Sequence, residues 1–289
     1  MQIGAHAQVF TGSLDESGIT RAITATRRAG FDILEIPMMD PKRFDRALAA
    51  RLLAEHDIEA TASLGLTAAT DLTSPDPAVR VAGEEMLETC IDIVHALGGR
   101  WLTGVIYSAM RKYMEPATEE GVAHAADALR RLADRAAGKG IRLGLEIVNR
   151  YESNVANTAR GGLALLDRVD HENVSLHLDT YHMNIEESDM AQPVLDAGDA
   201  LGYVHIGESH RGYLGSGTVD FDGFFRGLAR AGYDGPVVFE SFSSAIVSAE
   251  LSNTLGVWRN LWDDSDDLAA HANAFIRGQL RAVDTIRLH

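Results

Sequence analysis

Eight short apolar runs recur along the chain with room for a helix between neighbours, and this alternation restricts the fold more than any other feature. QIGAHAQVF, DILEIP, IEATASLGL, RWLTGVI, IRLGLEIV, NVSLHLD, LGYVHIG and PVVFES read as strands. Helical patterns follow at 15–28, in PKRFDRALAARLLAEHD with Pro41 near its start, at 75–96, in EEGVAHAADALRRLADRAAGKG, and at 159–168, 190–200 and 221–231. Pro77 stands in a first turn and Gly98-Gly99 past a last turn, where each residue is best tolerated. Two more helical stretches, 251–261 and 268–286, follow the eighth run. Strands joined through helices pair in parallel. The pattern predicts an α/β fold, a single (β/α)8 TIM barrel with an additional C-terminal helical segment. No linker or composition break divides residues 1–289, so one domain is expected, its final helices from about residue 251 packing on the barrel or on a partner subunit. A doubly wound open sheet is the competing topology. It is disfavoured because no G-x-G-x-x-G follows the first run and no Walker P-loop occurs.

Composition narrows the functional classes. The chain of 289 residues is 46% hydrophobic, and no apolar run reaches the roughly 18 residues of a membrane span. MQIGAHAQVF lacks the basic flank and long apolar region of a secretory signal. The single cysteine, Cys90, lies in MLETCIDIVHAL and reads as a small buried apolar residue, which makes a cytoplasmic setting the default. A formal charge of −16 disfavours nucleic acid and anionic membrane as partners, because both are held by clustered Lys and Arg. It therefore counts against an endonuclease on such a barrel.

The last four strands each end in a metal-ligand type of side chain: Glu146 after RLGL, Asp179 after SLHL, His205 after GYV and Glu240 after VVF. Strand carboxyl ends share one mouth in a closed parallel barrel, so these residues converge. Each taken alone is an ordinary polar rim residue. Together, three buried acids repel one another and cost several kcal/mol unless a cation or hydrogen bonds compensate. One divalent metal ion per subunit is the economical solution, and three oxygens with one imidazole suit Mn²⁺, Mg²⁺ or Co²⁺.

Other polar residues surround that mouth. Glu152 in NRYE can accept bonds from hydroxyl groups, His182 follows Asp179 by three positions, and Arg211 in GESHRGYLGSG can hold a substrate oxygen. Each also has an ordinary reading as a loop-stabilising side chain. GYLGSG lacks the spacing of a phosphate cradle, so Gly212, Gly215 and Gly217 are expected to serve a tight loop. His177, flanked by Leu176 and Leu178, is expected to be a satisfied core histidine. The acidic cluster Asp263, Asp264, Asp266 and Asp267 reads as a solvated helix start.

At GLEIVNRYE, HLDTYHMNIEE, VHIGESHRGYLGSGTVDF and VVFESF the sequence resembles the D-tagatose 3-epimerase family of ketose 3-epimerases, which includes the D-psicose (D-allulose) and L-ribulose 3-epimerases. The resemblance covers essentially the whole chain and belongs within the sugar isomerase and epimerase barrel superfamily. It implies a divalent metal on Glu146, Asp179, His205 and Glu240, with Glu146 and Glu240 doubling as the acid/base pair. It implies substrate contacts from Glu152, His182 and Arg211, and an apolar clamp near Tyr107 and Phe242. His6 would stand at the rim where the family commonly has an aromatic residue. A homodimer or homotetramer is also implied.

The expected reaction is reversible epimerisation at carbon 3 of a free ketose through a cis-enediolate, one glutamate removing the proton and the other returning one to the opposite face. D-fructose/D-allulose, D-tagatose/D-sorbose and L-ribulose/L-xylulose pairs all fit. An aldose–ketose isomerase and a noncatalytic sugar-binding protein are the alternatives. Trp258 and Trp262, with Leu255 and Leu261, mark a possible apolar contact patch in the late helices.

Overall fold

The computed structural model describes residues 1–285. Eight parallel strands close into a barrel in chain order: β1 (Ile3–His6), β2 (Ile33–Pro37), β3 (Glu59–Leu66), β4 (Trp101–Ala109), β5 (Arg142–Ile147), β6 (Val174–Asp179), β7 (Leu201–Ile206) and β8 (Val237–Phe239), which returns to pair with β1. The helices are α1 (Glu16–Arg28), α2 (Arg46–His56), α3 (Pro77–Ala96), α4 (Glu119–Ala137), α5 (Ala159–Val169), α6 (Thr180–Glu186), α7 (Gln192–Ala197), α8 (Phe221–Ala231), α9 (Ala249–Leu255) and α10 (Ser265–Asp284). No helix among the described residues is long and apolar enough to cross a membrane.

Local chemistry starts these helices where it does. Asp15, Asp45, Asp76, Thr118, Thr158, Asp179, Asp220, Ser248 and Asp264 each accept a first-turn backbone N–H, so every described helix except α7 has a side-chain cap. A capping aspartate also faces the positive end of the helix dipole. Part of the chain's acidity is thereby structural. Asp45 explains why α2 begins at Arg46 rather than near Pro41. The pattern at 190–200 becomes α7 followed by a turn of 3₁₀ helix from Gly198, whose φ of 49° breaks the α geometry. The 251–261 pattern is realised as the shorter α9, closed by Gly256. The last residue of the 268–286 pattern, and the chain end through 289, lie outside the described residues.

Outside the barrel, the helices bury apolar faces against strands that are buried on both sides. Phe224, Phe225 and Leu228 of α8 are fully buried, and α10 packs against α8 and β1. The expected late apolar patch is divided: Trp262 is buried and donates to Ser241, whereas Trp258 is 74% exposed. The barrel interior departs from the usual layers of branched apolar residues. Tyr203 of β7 reaches across to Glu35 of β2 and Thr61 of β3, strands it does not pair with, so these polar groups meet inside the barrel.

Gly104 of β4 has φ 114°, and a Cβ there would stand 2.2 Å from the Leu64 carbonyl oxygen of the neighbouring strand. Gly104→Ala combines a conformation costly for L-residues with a backbone clash, and should lower stability by about 3 kcal/mol or more. Urea denaturation of the two proteins measures the difference.

Candidate active site

Glu146 lies within β5, Asp179 ends β6, His205 lies near the end of β7, and Glu240 follows β8, its amide bonded to the Ile206 carbonyl. The geometry brings all four together. One donor atom from each lies within 4.8 Å of every other, and all four residues are buried. His205 Nδ1 stands 3.6 Å from both Glu146 Oε1 and Glu240 Oε1. That nitrogen is buried and has no hydrogen-bond partner. Three hard oxygens and an unpartnered imidazole nitrogen converging on one point fit a divalent cation.

His182 enters this site for a reason the strand pattern does not reveal. The segment after Asp179 forms α6, with Asp179 itself accepting the Tyr181 amide as the cap, so the third residue on turns back toward the strand end. His182 Nδ1 accepts the Asn149 backbone N–H at 3.1 Å, which leaves the ring proton on Nε2. Nε2 lies 3.7 Å from Glu146 Oε1 and from Asp179 Oδ2. Burial, then the charges of Arg211 and His205, hold His182 well below its usual pKa. It is thus a neutral donor at the edge of the cage, while His205 presents the open nitrogen.

Arg211 is fully enclosed. Its guanidinium bonds Asp179 Oδ2 at 3.1 Å and also Glu240, and lies 3.8 Å over the Tyr181 ring. Its backbone adopts φ 61°, unusual for a non-glycine residue. The loop supplies the constraint: the Arg211 amide bonds the Glu208 carbonyl, Ser241 donates to the Arg211 carbonyl, and the Glu208 carboxylate accepts the amides of Ser209, Gly215 and Val219. The glycine-rich segment is therefore wrapped around Glu208 and delivers Arg211 inward. Glu152 joins through Asn149, whose Nδ2 donates to Glu152 Oε1 at 3.0 Å.

The two glutamates have opposite environments. Burial pushes Glu146 up to about 7, reinforced by the Glu240 and Asp179 carboxylates and opposed by His205. Burial would raise Glu240 as well, but Arg211 and His205 outweigh it and hold that carboxyl below its usual range. Asp179 is raised by burial, with Arg211 opposing. The two carboxyl groups flanking the same imidazole thus differ in proton affinity.

A cavity of ≈ 460 Å³ opens over this cluster and is lined by Glu146, Glu152, His182, Arg211, Glu240, Phe242 and His6 among others. Leu251 and Leu255 of α9 also reach it. His6 meets Phe242 edge to face, with ring centroids 5.7 Å apart. Tyr107 is a correction. It is completely buried behind the cluster, its hydroxyl donating to the Glu146 carbonyl at 2.8 Å, and Val105 and Met110 line the cavity instead. His177 is a second correction. Nδ1 is paired with Thr103 at 2.7 Å, but Nε2 has no partner and the ring abuts His205 at 4.1 Å, so it is a half-satisfied neighbour of the cage.

Two contributors escaped the strand-end pattern. Asn149 sits in the NRYE loop, where its amide side chain looks like ordinary turn chemistry. Glu35, completely buried, accepts from His205 Nε2 at 2.8 Å and from the Tyr203 hydroxyl at 2.6 Å. Its one visible signal is an acid enclosed by apolar residues in DILEIP.

A family model described as a xylose isomerase-like TIM barrel matches residues 23–277. The ketose 3-epimerase of Arthrobacter globiformis is 59% identical over 289 residues, covering 100% of both chains. The L-ribulose 3-epimerase of Methylomonas sp. is 56% identical over 277 residues, covering 96% of this chain and 97% of that protein. The crystal structure of a Methylomonas sp. D-allulose 3-epimerase in complex with D-allulose superposes with a TM-score of 0.95 at 56% identity, covering 96% of this chain and 97% of that one.

Arg211→Met should destabilise the metal-free protein by about 3–5 kcal/mol at pH 7, because it leaves Asp179 and Glu240 buried without their cation. The sign with pH follows from the loss of that cation: both carboxyl pKa values rise in the folded variant, so acidification adds protons to it and restores stability. The deficit should shrink toward pH 5 in urea denaturation with chelator present.

Proposed function

The chain belongs to the xylose isomerase-like TIM barrel family, among its ketose 3-epimerases, and we propose that it is a metal-dependent enzyme interconverting free ketoses epimeric at carbon 3. It is an isomerase acting on carbohydrates. The observation that carries the mechanistic reading is the juxtaposition of an open His205 nitrogen with two glutamates whose proton affinities are driven apart.

Glu146, Asp179, His205 and Glu240 would hold the cation. A divalent ion there supplies a Lewis acid that makes a hydrogen beside a ketose carbonyl easier to remove. The protein's own groups do the rest. In one direction the ionised Glu240 takes the carbon 3 proton, and the electron pair left on carbon moves into an enediolate spanning carbons 2 and 3. Glu146 would then deliver a proton to the other face of carbon 3 from whichever of its carboxyl oxygens does not hold the cation. The reverse reaction exchanges the roles. Two carboxyl groups on non-adjacent strands permit attack from two faces, whereas one base would return the starting stereocentre.

His182 Nε2–H and the Arg211 guanidinium are donors for oxygens near carbon 2, and Glu152 is an acceptor for a hydroxyl farther along the sugar. Phe242 offers an apolar face beside them. Arg211 is the single arginine or lysine among the described residues lining the cavity, and it is already held by two carboxylates, which favours an unphosphorylated sugar. L-Ribulose and D-allulose, named for the relatives, are the leading substrates, and the pairs D-fructose/D-allulose, D-tagatose/D-sorbose and L-ribulose/L-xylulose define the panel.

With Mn²⁺ supplied and the reaction run in deuterated water, deuterium should enter the ketose product at carbon 3. Formation of an aldose without carbon 3 exchange would instead establish an aldose–ketose isomerase, and failure to convert any ketose of the panel would sink the reading. Glu146→Gln and Glu240→Gln should each lower kcat by about 10²–10⁴-fold while leaving sugar binding measurable.

Metal affinity should depend on pH. Glu146 is raised to about 7 in the metal-free site, and a cation binds its ionised form, so metal and proton compete. Below pH 7 the apparent Mn²⁺ affinity should fall by at least about tenfold per pH unit, because His205, held basic by Glu35 and Glu240, must release a proton as well. Titration calorimetry in buffers of different ionisation enthalpy measures both the affinity and the protons released.

A further inference from the structure

Glu35 is the one charged residue of β2, and it is completely enclosed among strands that could bury an apolar side chain there without a charge. Taking a carboxylate out of water costs several kcal/mol, so its partners define what it does. A carboxylate only accepts hydrogen bonds. The Tyr203 hydroxyl therefore donates to Glu35 Oε2 at 2.6 Å and accepts from Thr61 Oγ1 at 2.7 Å. By the same rule the His205 Nε2 atom, 2.8 Å from the same oxygen, must carry a hydrogen. When the ring is neutral, as a cation ligand must be, its lone pair therefore lies on Nδ1, the buried nitrogen that faces Glu146 and Glu240 without a partner. Had Glu35 been a leucine, nothing else within bonding distance of Nε2 would specify that choice: the neighbouring rings, His177 at 4.1 Å and Tyr203 at 5.8 Å between centroids, hold the imidazole by edge contacts alone.

We propose that Glu35 is a positioning residue for the metal cage: from the far side of His205 it fixes the ring's tautomer and orientation, so that Nδ1 and not Nε2 is presented to Glu146, Asp179 and Glu240. Glu35 does not line the cavity, although its Oε1 lies 3.7 Å from Nε2 of His6, which does. Its effect travels through His205, by increasing the basicity of the ligand nitrogen and by preventing the ring from being reoriented. Tyr203 and Thr61 anchor the carboxylate from below and complete a hydrogen-bonded line from β3 to the cage. The role rests on the metal site advanced above as part of the proposed function.

The test is Mn²⁺ binding to the full chain, measured by calorimetry without substrate, for the unsubstituted protein, Glu35→Gln and Tyr203→Phe. Glu35→Gln keeps the shape but removes the charge, and should raise the Mn²⁺ dissociation constant by about 10–100-fold. Tyr203→Phe removes a comparable buried hydrogen bond but leaves the carboxylate against His205, and should change it by less than about threefold. Unchanged affinity in a folded Glu35→Gln protein would overturn the proposal, as would equal weakening by both variants, which would make Glu35 a structural part only. Absence of binding by the unsubstituted protein would overturn the metal site itself and this role with it, so the two failures are distinguishable. Nitrogen-15 spectra of the unsubstituted, Mg²⁺-saturated protein need no variant: a hydrogen on Nε2 and none on Nδ1 of His205 is expected, and the reverse tautomer contradicts the assignment.

Discussion

Everything at the mouth of this barrel follows from the difficulty of burying like charges together. Glu146, Asp179 and Glu240 lie close enough to repel strongly, in surroundings that exclude water. The protein meets part of that cost with Arg211 and the imidazole of His205, and part by leaving Glu146 with a high proton affinity. Such a cluster is a poor way to stabilise a fold and a good way to hold a cation. The loop after β7, strained at Arg211 and wound about Glu208, makes sense on the same terms: it delivers a guanidinium to carboxylates that would otherwise stand alone.

Beneath the cage the barrel interior is polar where a purely structural barrel would be apolar. Thr61, Tyr203, Glu35, Thr103 and His177 form bonded groups whose side chains span non-adjacent strands. Each link has its donor and acceptor assigned by chemistry. Glu35 accepts only, Thr103 donates to the Gly144 carbonyl, and His177 must then donate from Nδ1. Such networks permit fewer alternative packings than leucine and valine, so the floor beneath the clustered acids and His205 is fixed in direction as well as in position.

The fold was legible because burial on both faces forces parallel strands into short apolar runs, and crossovers force helices between them. The cage was legible because a strand carrying an acid at its last inward position breaks that apolarity abruptly, as in SLHLD and VVFE. Glu35 breaks it too, but at mid-strand, and only the fold shows that Tyr203 and His205 approach it from the opposite wall. Tyr107 failed for the converse reason. Strand alternation allows an aromatic residue to face the cavity or the packing behind it, and Tyr107 is fully buried with its hydroxyl bonded to the Glu146 carbonyl. The α6 turn was invisible because a helix of so few residues has no measurable periodicity, yet it decides where His182 points.

The unequal surroundings of Glu146 and Glu240 have a limit that thermodynamics sets. In the proposed reaction each carboxyl is the acid in one direction and the base in the other, so their difference alters the two rates and their pH profiles in a linked way. The ratio of the two sugars at equilibrium is a property of the sugars alone. A cavity that favours one epimer must therefore shift the ratio of its forward and reverse turnover in proportion to that preference, and the mixture it leaves behind carries no imprint of Arg211, His205 or the asymmetry they create.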